Sequence, residues 1–370
     1  MRETTITLPG YGPASFHTLT RFTFGTPGGR PHIHVQGGLH ADEGPGMMAA
    51  RMLADRLLLL EAEGRLVGQV TVVPAANPIG LTQFVHGDQT GRFDLYDGRN
   101  FNRDYPDLTE AAAPALEGRL GRDVVANTAA IREAFAAALT AQSAPGPADR
   151  LRLELMRMAI SADVVLDLHC DGEAEVHLYT QPASLESLRP LAAFLGCRAV
   201  LVAEVSGGNP FDEALARPWA DLARRFPDAS IPQGCASCTV ELRGRSDVSR
   251  DLGARDADAI LGFLVHLGAV QGGVTLPDPL CEPTPLAGSE ALVAPVAGLL
   301  SYAVGLGSVV QEGVTVAEIT DLATGSVTPV RATTTGVFYA RPATRIAEPG
   351  KRLGKIAGRT PFRAGPLLSP

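Results

Sequence analysis

His40 and Glu43 stand three residues apart in HVQGGLHADEGPG, residues 34–46, where an apolar strand runs into a glycine-flanked turn. On such a turn both side chains can point at one spot, and imidazole with carboxylate are the borderline ligands that zinc favours. A catalytic zinc takes three protein ligands and leaves a fourth position open for water. The third ligand is expected at another strand end of the same sheet. Among the eight histidines, His169, which closes VVLDLH, is the best placed. Such strand ends are where open α/β sheets hold their active sites. An HxxE spacing also arises by chance, and a lone histidine after an apolar strand is commonly a surface or satisfied one. His32, His34, His86, His177 and His266 are read that way.

Two further stretches carry chemistry. In GRNFNRDYP, residues 98–106, Asn102 and Arg103 form an amide–guanidinium pair able to grip a carboxylate; the alternative is an arginine packed over Tyr105 or paired with Asp107. In CTVELRG, residues 238–244, Glu241 sits in an apolar strand. A carboxylate there is costly unless paired, so it is either bridged to an arginine such as Arg243 or functional. Asp167 shares the face of His169 and is a candidate partner for it, whereas Cys170 should point to the opposite face. The CxxC spacing of Cys235 and Cys238 lacks a second pair and reads as packing.

The elements that must position these residues alternate. Residues 3–24 read as antiparallel β structure leading into PHIHVQGG, residues 46–63 as a helix apolar on most faces, and LVGQVTVVPAANP as a strand. A long polar loop, 87–107, has the length usual for a functional one. Helices are expected over 121–142, 148–161, 184–195, 211–225 and 256–268. ADVVLDLHCDG reads as a central strand buried on both faces, with RAVLVAEV and SCTVELRG as further strands. This order implies an α/β sandwich with helices on both faces of a mainly parallel or mixed sheet.

From about residue 285 the pattern becomes short Val-rich strands punctuated by glycine. The boundaries expected are 1–284 for a catalytic domain and 285–370 for a small β domain. GLGSVVQEGVTVAEI and ATRIAEPGKRLGKIAG form an internal repeat that resembles the barrel-sandwich fold of biotinyl and lipoyl carriers. The turn where a carrier lysine would stand, TDLATGSV, has none, so the unit is read as structural.

A net charge of −8 excludes a general affinity for nucleic acid or anionic membranes. The N-terminus lacks a signal-like apolar run and no stretch could span a bilayer, so a cytoplasmic protein is expected. Five cysteines suit reduced thiols. Lys351 and Lys355 are the only lysines, so any anion site is expected to be an arginine fork. Assembly into a homo-oligomer is left open.

GGLHADE, NPIGL, GRNFNRDYP, DLH and TVELRG, in this order over residues 30–270, resemble the zinc carboxypeptidase superfamily. More closely the chain resembles its succinylglutamate desuccinylase/aspartoacylase branch, including a subgroup acting on N-acetyl-diaminobutyrate. The resemblance implies a carboxypeptidase-like α/β/α sandwich with a mixed central sheet, a C-terminal β domain, one Zn2+ per chain and a small N-acyl amino acid substrate. It places His40, Glu43 and His169 as zinc ligands, Glu241 as the group that activates water, and Asn102 with Arg103 on the substrate carboxylate. A second arginine, Arg92 or Arg99, would polarise the scissile carbonyl. Where the superfamily has an aspartate two residues before the Asn-Arg pair, this chain has Asn100, which implies weaker metal binding. The rivals are a true peptide carboxypeptidase and a non-catalytic binding protein of the same fold.

Overall fold

The structure, a computed structural model, describes residues 1–368. The chain opens with an antiparallel pair, β1 (Arg2–Pro9) and β2 (Phe16–Gly25), and continues through β3 (His32–Gly37), β4 (Gln69–Val73), β5 (Val164–Asp171), β6 (His177–Thr180), β7 (Ala199–Val202), β8 (Ala236–Gly244) and β9 (Thr284–Pro285). These nine strands form one mixed sheet in the order β1-β2-β4-β3-β5-β8-β6-β7-β9. Its centre, β4-β3-β5-β8, is parallel, so four neighbouring strands deliver their C-terminal ends to one edge. β6 runs antiparallel to β8.

Seven helices cover the sheet, α1 (Gly44–Ala62), α2 (Leu108–Leu116), α3 (Val124–Ala141), α4 (Pro147–Ala159), α5 (Pro182–Leu195), α6 (Phe211–Arg225) and α7 (Arg250–His266). Helices α1, α5 and α7 share one core with Val35, Val72, Leu166 and Leu168. Helices α2, α3, α4 and α6 share the other with Leu8, Val73 and Val165. β5 faces both cores, as its unbroken apolar run predicts. Helix α1, apolar on most faces, packs against the sheet and leaves Leu58 and Leu59 on its solvent side. Helix α2, capped by Asp107, follows directly on the polar loop, in a stretch for which no element is expected because Pro114 inside it masks the period.

The glycines of the first motif have a steric reason. A Cβ on Gly37 would lie 2.4 Å from the Gly46 carbonyl oxygen, and one on Gly46 would lie 2.4 Å from that of Leu168. Gly38 has φ +76°, in the left-handed region. The turn after β3, the start of α1 and the strand carrying His169 thus touch backbone to backbone.

After β9 the chain forms β10 (Ser289–Val293), β11 (Gly298–Tyr302), β12 (Val309–Val310), β13 (Thr315–Thr320), β14 (Val327–Arg331), β15 (Gly336–Arg341), β16 (Ile346–Ala347) and β17 (Arg352–Gly358). They make two antiparallel sheets, β10-β17-β15-β12 and β14-β13-β11-β16, around Val316, Ile319, Phe338 and Ile356. The internal repeat is visible as β12–β13 and β16–β17, each turning at a left-handed glycine, Gly313 at φ +85° and Gly350 at φ +83°. The unit is not isolated. β15 pairs with Glu173–Ala174, and Tyr339, Ala340 and Ala357 share a small core with Tyr179 and Leu201. No helix among the described residues is long and apolar enough to cross a membrane.

Gly46→Ala is expected to lower unfolding stability by about 1–3 kcal/mol, because α1 must move off β5 to admit the methyl group. Urea unfolding reads this directly, and an unchanged midpoint would show that the close approach carries no constraint.

Candidate active site

Three of the four central parallel strands place their ends together at the site. β3 leads into His40 and Glu43, β5 carries His169, and on β8 Glu241 stands opposite His169 in register. Glu43 is 2% exposed and lies between the two imidazoles, with Oε1 3.0 Å from His40 Nδ1 and Oε2 2.8 Å from His169 Nδ1. The outer nitrogens are also held. His40 Nε2 donates to Asn100 Oδ1 at 2.8 Å, and His169 Nε2 donates to Asp167 Oδ2 at 2.9 Å. With those tautomers, both Nδ1 atoms turn toward Glu43. Asp167 in turn accepts from Gln36 Nε2 at 3.0 Å, so its carboxylate is fixed from the neighbouring strand.

The donor set fits a dication. The ligand atoms of His40, Glu43 and His169 all lie within 4.8 Å of one another and form such a cluster among the described residues. Two ligands on a tetrahedral zinc stand about 3.3 Å apart, close to the Nδ1–carboxylate separations here. The cluster already attracts a cation, since Arg92 Nη1 lies 3.2 Å from His40 Nδ1 and 3.4 Å from Glu43 Oε1.

The cluster opens on a cavity of about 360 Å³, lined among others by Arg92, Asn102, Arg103 and Glu241. Glu241 Oε2 is buried without a hydrogen-bond partner. Its sequence alternative does not occur, because Arg243 forks onto Asp256. Burial, with Glu43 and Asp171 nearby, pushes the Glu241 carboxyl up to about 8.

Arg92 and Arg99 separate. Arg92 faces the cavity, whereas Arg99 turns away to Asp97 at 2.6 Å and Asp149 at 2.8 Å. Asn102, grouped with Arg103 as a carboxylate grip, has its amide oxygen engaged instead: Oδ1 accepts from the Phe211 N–H at 2.9 Å. Arg103 lines the cavity, with Nη1 donating to the Asn102 carbonyl; Asp107, its alternative partner, pairs with Arg217. Buried Arg152 clamps this loop through the carbonyls of Asn100 and Arg103. Cys170 meets Glu43 through its backbone N–H, and burial raises the pKa of its thiol. Cys235 and Cys238 are buried free thiols.

Much of the cavity's far wall was not signalled by sequence. Ser206, Asp212 and Glu213 come from the start of α6 and the loop before it, and Arg341, Arg352 and Lys355 from the C-terminal sheets. Lys355 bonds Asp171, and against the cost of burial its ammonium holds that carboxyl down to about 2. One signal was available for Lys355: it is one of two lysines in a chain whose other cations are arginine.

Residues 30–267 match the family described as the succinylglutamate desuccinylase/aspartoacylase catalytic domain. The chain belongs to this family. It is 26% identical over 338 residues to the N-alpha-acetyl-L-2,4-diaminobutyric acid deacetylase of Halomonas elongata, covering 88% of this chain and 82% of that protein. A solved structure ascribed to the same family, from Shewanella amazonensis, superposes with TM-score 0.83 at 25% identity, covering 96% and 98% of the two chains. The product-bound ectoine utilization protein of Ruegeria pomeroyi shares the fold, with TM-score 0.66, 18% identity and coverage of 96% and 95%.

Glu241 also sets a pH signature. In protein stripped of metal, the folded state keeps this carboxyl protonated up to about pH 8, while its ordinary value is 4.5. Between those values the unfolded chain binds fewer protons, so stability falls as pH rises; below 4.5 both states are protonated and the term vanishes. Metal-free Glu241→Gln should therefore gain stability over the unsubstituted protein between pH 4.5 and 8 and show no gain at pH 4. Thermal unfolding across that range tests it; an equal gain at both ends would assign the effect to packing.

Proposed function

We propose that this protein is a zinc-dependent amide hydrolase that removes the acyl group from a small N-acyl amino acid, with one Zn2+ held by His40, Glu43 and His169. The observation that carries the reading is a partnerless buried carboxylate oxygen, on Glu241, in the same cavity as the His-Glu-His cluster. When bound, zinc lowers the pKa of water toward about 7 and polarises a carbonyl.

The chain's own residues supply the rest. Glu241 takes the proton of the attacking water and returns it to the leaving amine. Arg92, on the cavity side of the cluster, stabilises negative charge developing on the carbonyl oxygen, a role that Arg99's pairing with two aspartates leaves to Arg92. Arg103 binds the substrate carboxylate, and Asn102 fixes the start of α6 through the Phe211 N–H. Asn100 orients His40 as an amide, which leaves the imidazole less basic than a carboxylate would. A cavity of about 360 Å³, walled on one side by the C-terminal sheets, suits a small acyl amino acid better than an extended peptide.

The test is zinc content of purified protein beside His40→Ala and Glu241→Gln, with amine release from N-acetyl and N-succinyl amino acids. Expected are about one zinc per chain, lost in His40→Ala, and a fall in kcat of about 10²–10⁴-fold in Glu241→Gln with zinc retained. No zinc after reconstitution, or release of C-terminal residues from peptides with no acyl amino acid cleaved, would overturn the reading.

A further inference from the structure

A hydrogen-bonded line of buried side chains runs from His169 to a histidine that the proposed chemistry does not use. His34 and Gln36 sit two apart on β3, Asp167 and His169 two apart on β5, and Gln36 stands opposite Asp167 in the parallel register. Alternate residues of a strand share a face, so all four project from one side of the sheet. His34 Nε2 lies 3.3 Å from Gln36 Oε1, Gln36 Nε2 donates to Asp167 Oδ1 at 3.0 Å, and Asp167 Oδ2 accepts from His169 Nε2 at 2.9 Å. His34, Gln36 and Asp167 are fully buried. The core around them is built of residues such as Val73, Val165 and Phe211, where polar side chains cost stability unless each bond is made.

Each bond in the line has one direction. An amide oxygen only accepts, so His34 Nε2 carries that ring's proton, and burial, which pushes the imidazole down to about 4, keeps the ring neutral. With its oxygen taken, Gln36 presents its NH2 to Asp167. The Asp167 carboxylate, held through one oxygen, turns the other to the His169 Nε2–H, which leaves His169 Nδ1 facing Glu43 as a lone pair. A Gln36 amide turned the other way would set oxygen against carboxylate, and the His34 N–H forbids that turn. His34 Nδ1 is buried without a partner, so the Nε2 contact is what accounts for a histidine at this position. The two histidines of the cluster are also backed unequally. His40 Nε2 faces the Asn100 amide and His169 Nε2 faces a carboxylate, which makes His169 the more basic ligand.

We infer that His34 and Gln36 are positioning residues of the metal centre: His34, outside the residues that line the cavity, fixes the direction of the Gln36 amide and, through Asp167, which nitrogen of His169 is free to hold the dication. Metal affinity therefore depends on a side chain three hydrogen bonds away from the ligand. The inference rests on the zinc reading of the His-Glu-His cluster for its effect on metal; its effect on the His169 ring requires none.

The test uses the full-length protein and three substitutions. His34→Phe keeps a ring and removes the N–H, Gln36→Met keeps the length and removes both bonds, and His34→Gln restores a donor. Zinc dissociation constants, read by competition with a chromophoric chelator, should rise about tenfold in His34→Phe and about 10–100-fold in Gln36→Met, with His34→Gln close to the unsubstituted protein. Because His34 acts through Gln36, adding His34→Phe to Gln36→Met should change the constant no further. In metal-free protein carrying nitrogen-15-labelled histidine, NMR should show His169 as the Nε2–H tautomer, and as a mixture of tautomers in His34→Phe and Gln36→Met. A line that serves only to hold β3 on β5 would lower unfolding stability in the variants and leave both the zinc constant and the tautomer unchanged, which overturns the inference. A double variant weaker than Gln36→Met by the whole His34→Phe factor overturns it too. No zinc bound by the unsubstituted protein, with the tautomer shifted in the variants, would sink the metal reading and keep the line. If His34→Phe fails to fold, Gln36→Met decides by the same two readouts.

Discussion

The structure is organised around the burial of one anion. Glu43 lies almost fully out of water between two imidazole Nδ1 atoms, and with the ring protons held on the outer nitrogens its carboxylate depends on other N–H donors and on cations. The Cys170 backbone N–H and the Arg92 guanidinium complete its surroundings. The rest of the neighbourhood follows from keeping both rings turned the right way. Asn100 and Asp167 hold the outer nitrogens, Gln36 steadies Asp167, and Arg152 pins the loop that brings Asn100 and Asn102 into place. Removing any one of these leaves a buried polar atom facing nothing.

That dependence explains which parts of the site were legible in sequence. His40, Glu43, His169 and Glu241 are polar residues in or just after apolar strands, and the physical chemistry that makes such placements costly also makes them conspicuous. Asp167 was readable from its two-residue offset to His169 on a strand. Arg92 and Arg99 were not separable, because both lie in one irregular loop whose path is set by remote partners: Asp149 of α4 takes Arg99. Asn102 was recognised as important but for a different contact, since its tie to Phe211 depends on how α6 packs.

The fold was readable to a similar depth. The double-faced strand β5 and the helices on either side follow from hydrophobic period, and helix α6 spans the residues its pattern marks out, 211–225. The starts and the short pieces were harder. Helix α7 begins at Arg250, ahead of its apolar stretch, because Ser249 caps it. The four-residue strand β6 follows a polar turn and is too short for alternation to declare itself. Lys355, one of the two lysines, lines the cavity bonded to Asp171, a placement that composition does not signal because it describes the chain's average and not a single enclosed position.

The pairing of Glu173–Ala174 with Gly336–Arg341 joins the C-terminal sheets to the large sheet just past the strand that carries His169. Arg341, at the end of that pairing, and Arg352 and Lys355 beyond it line the same cavity as His40, His169 and Glu241. One strand contact thus fixes how far the opposite wall stands from the metal cluster, and the width of the chamber is set by backbone pairing outside the cluster itself.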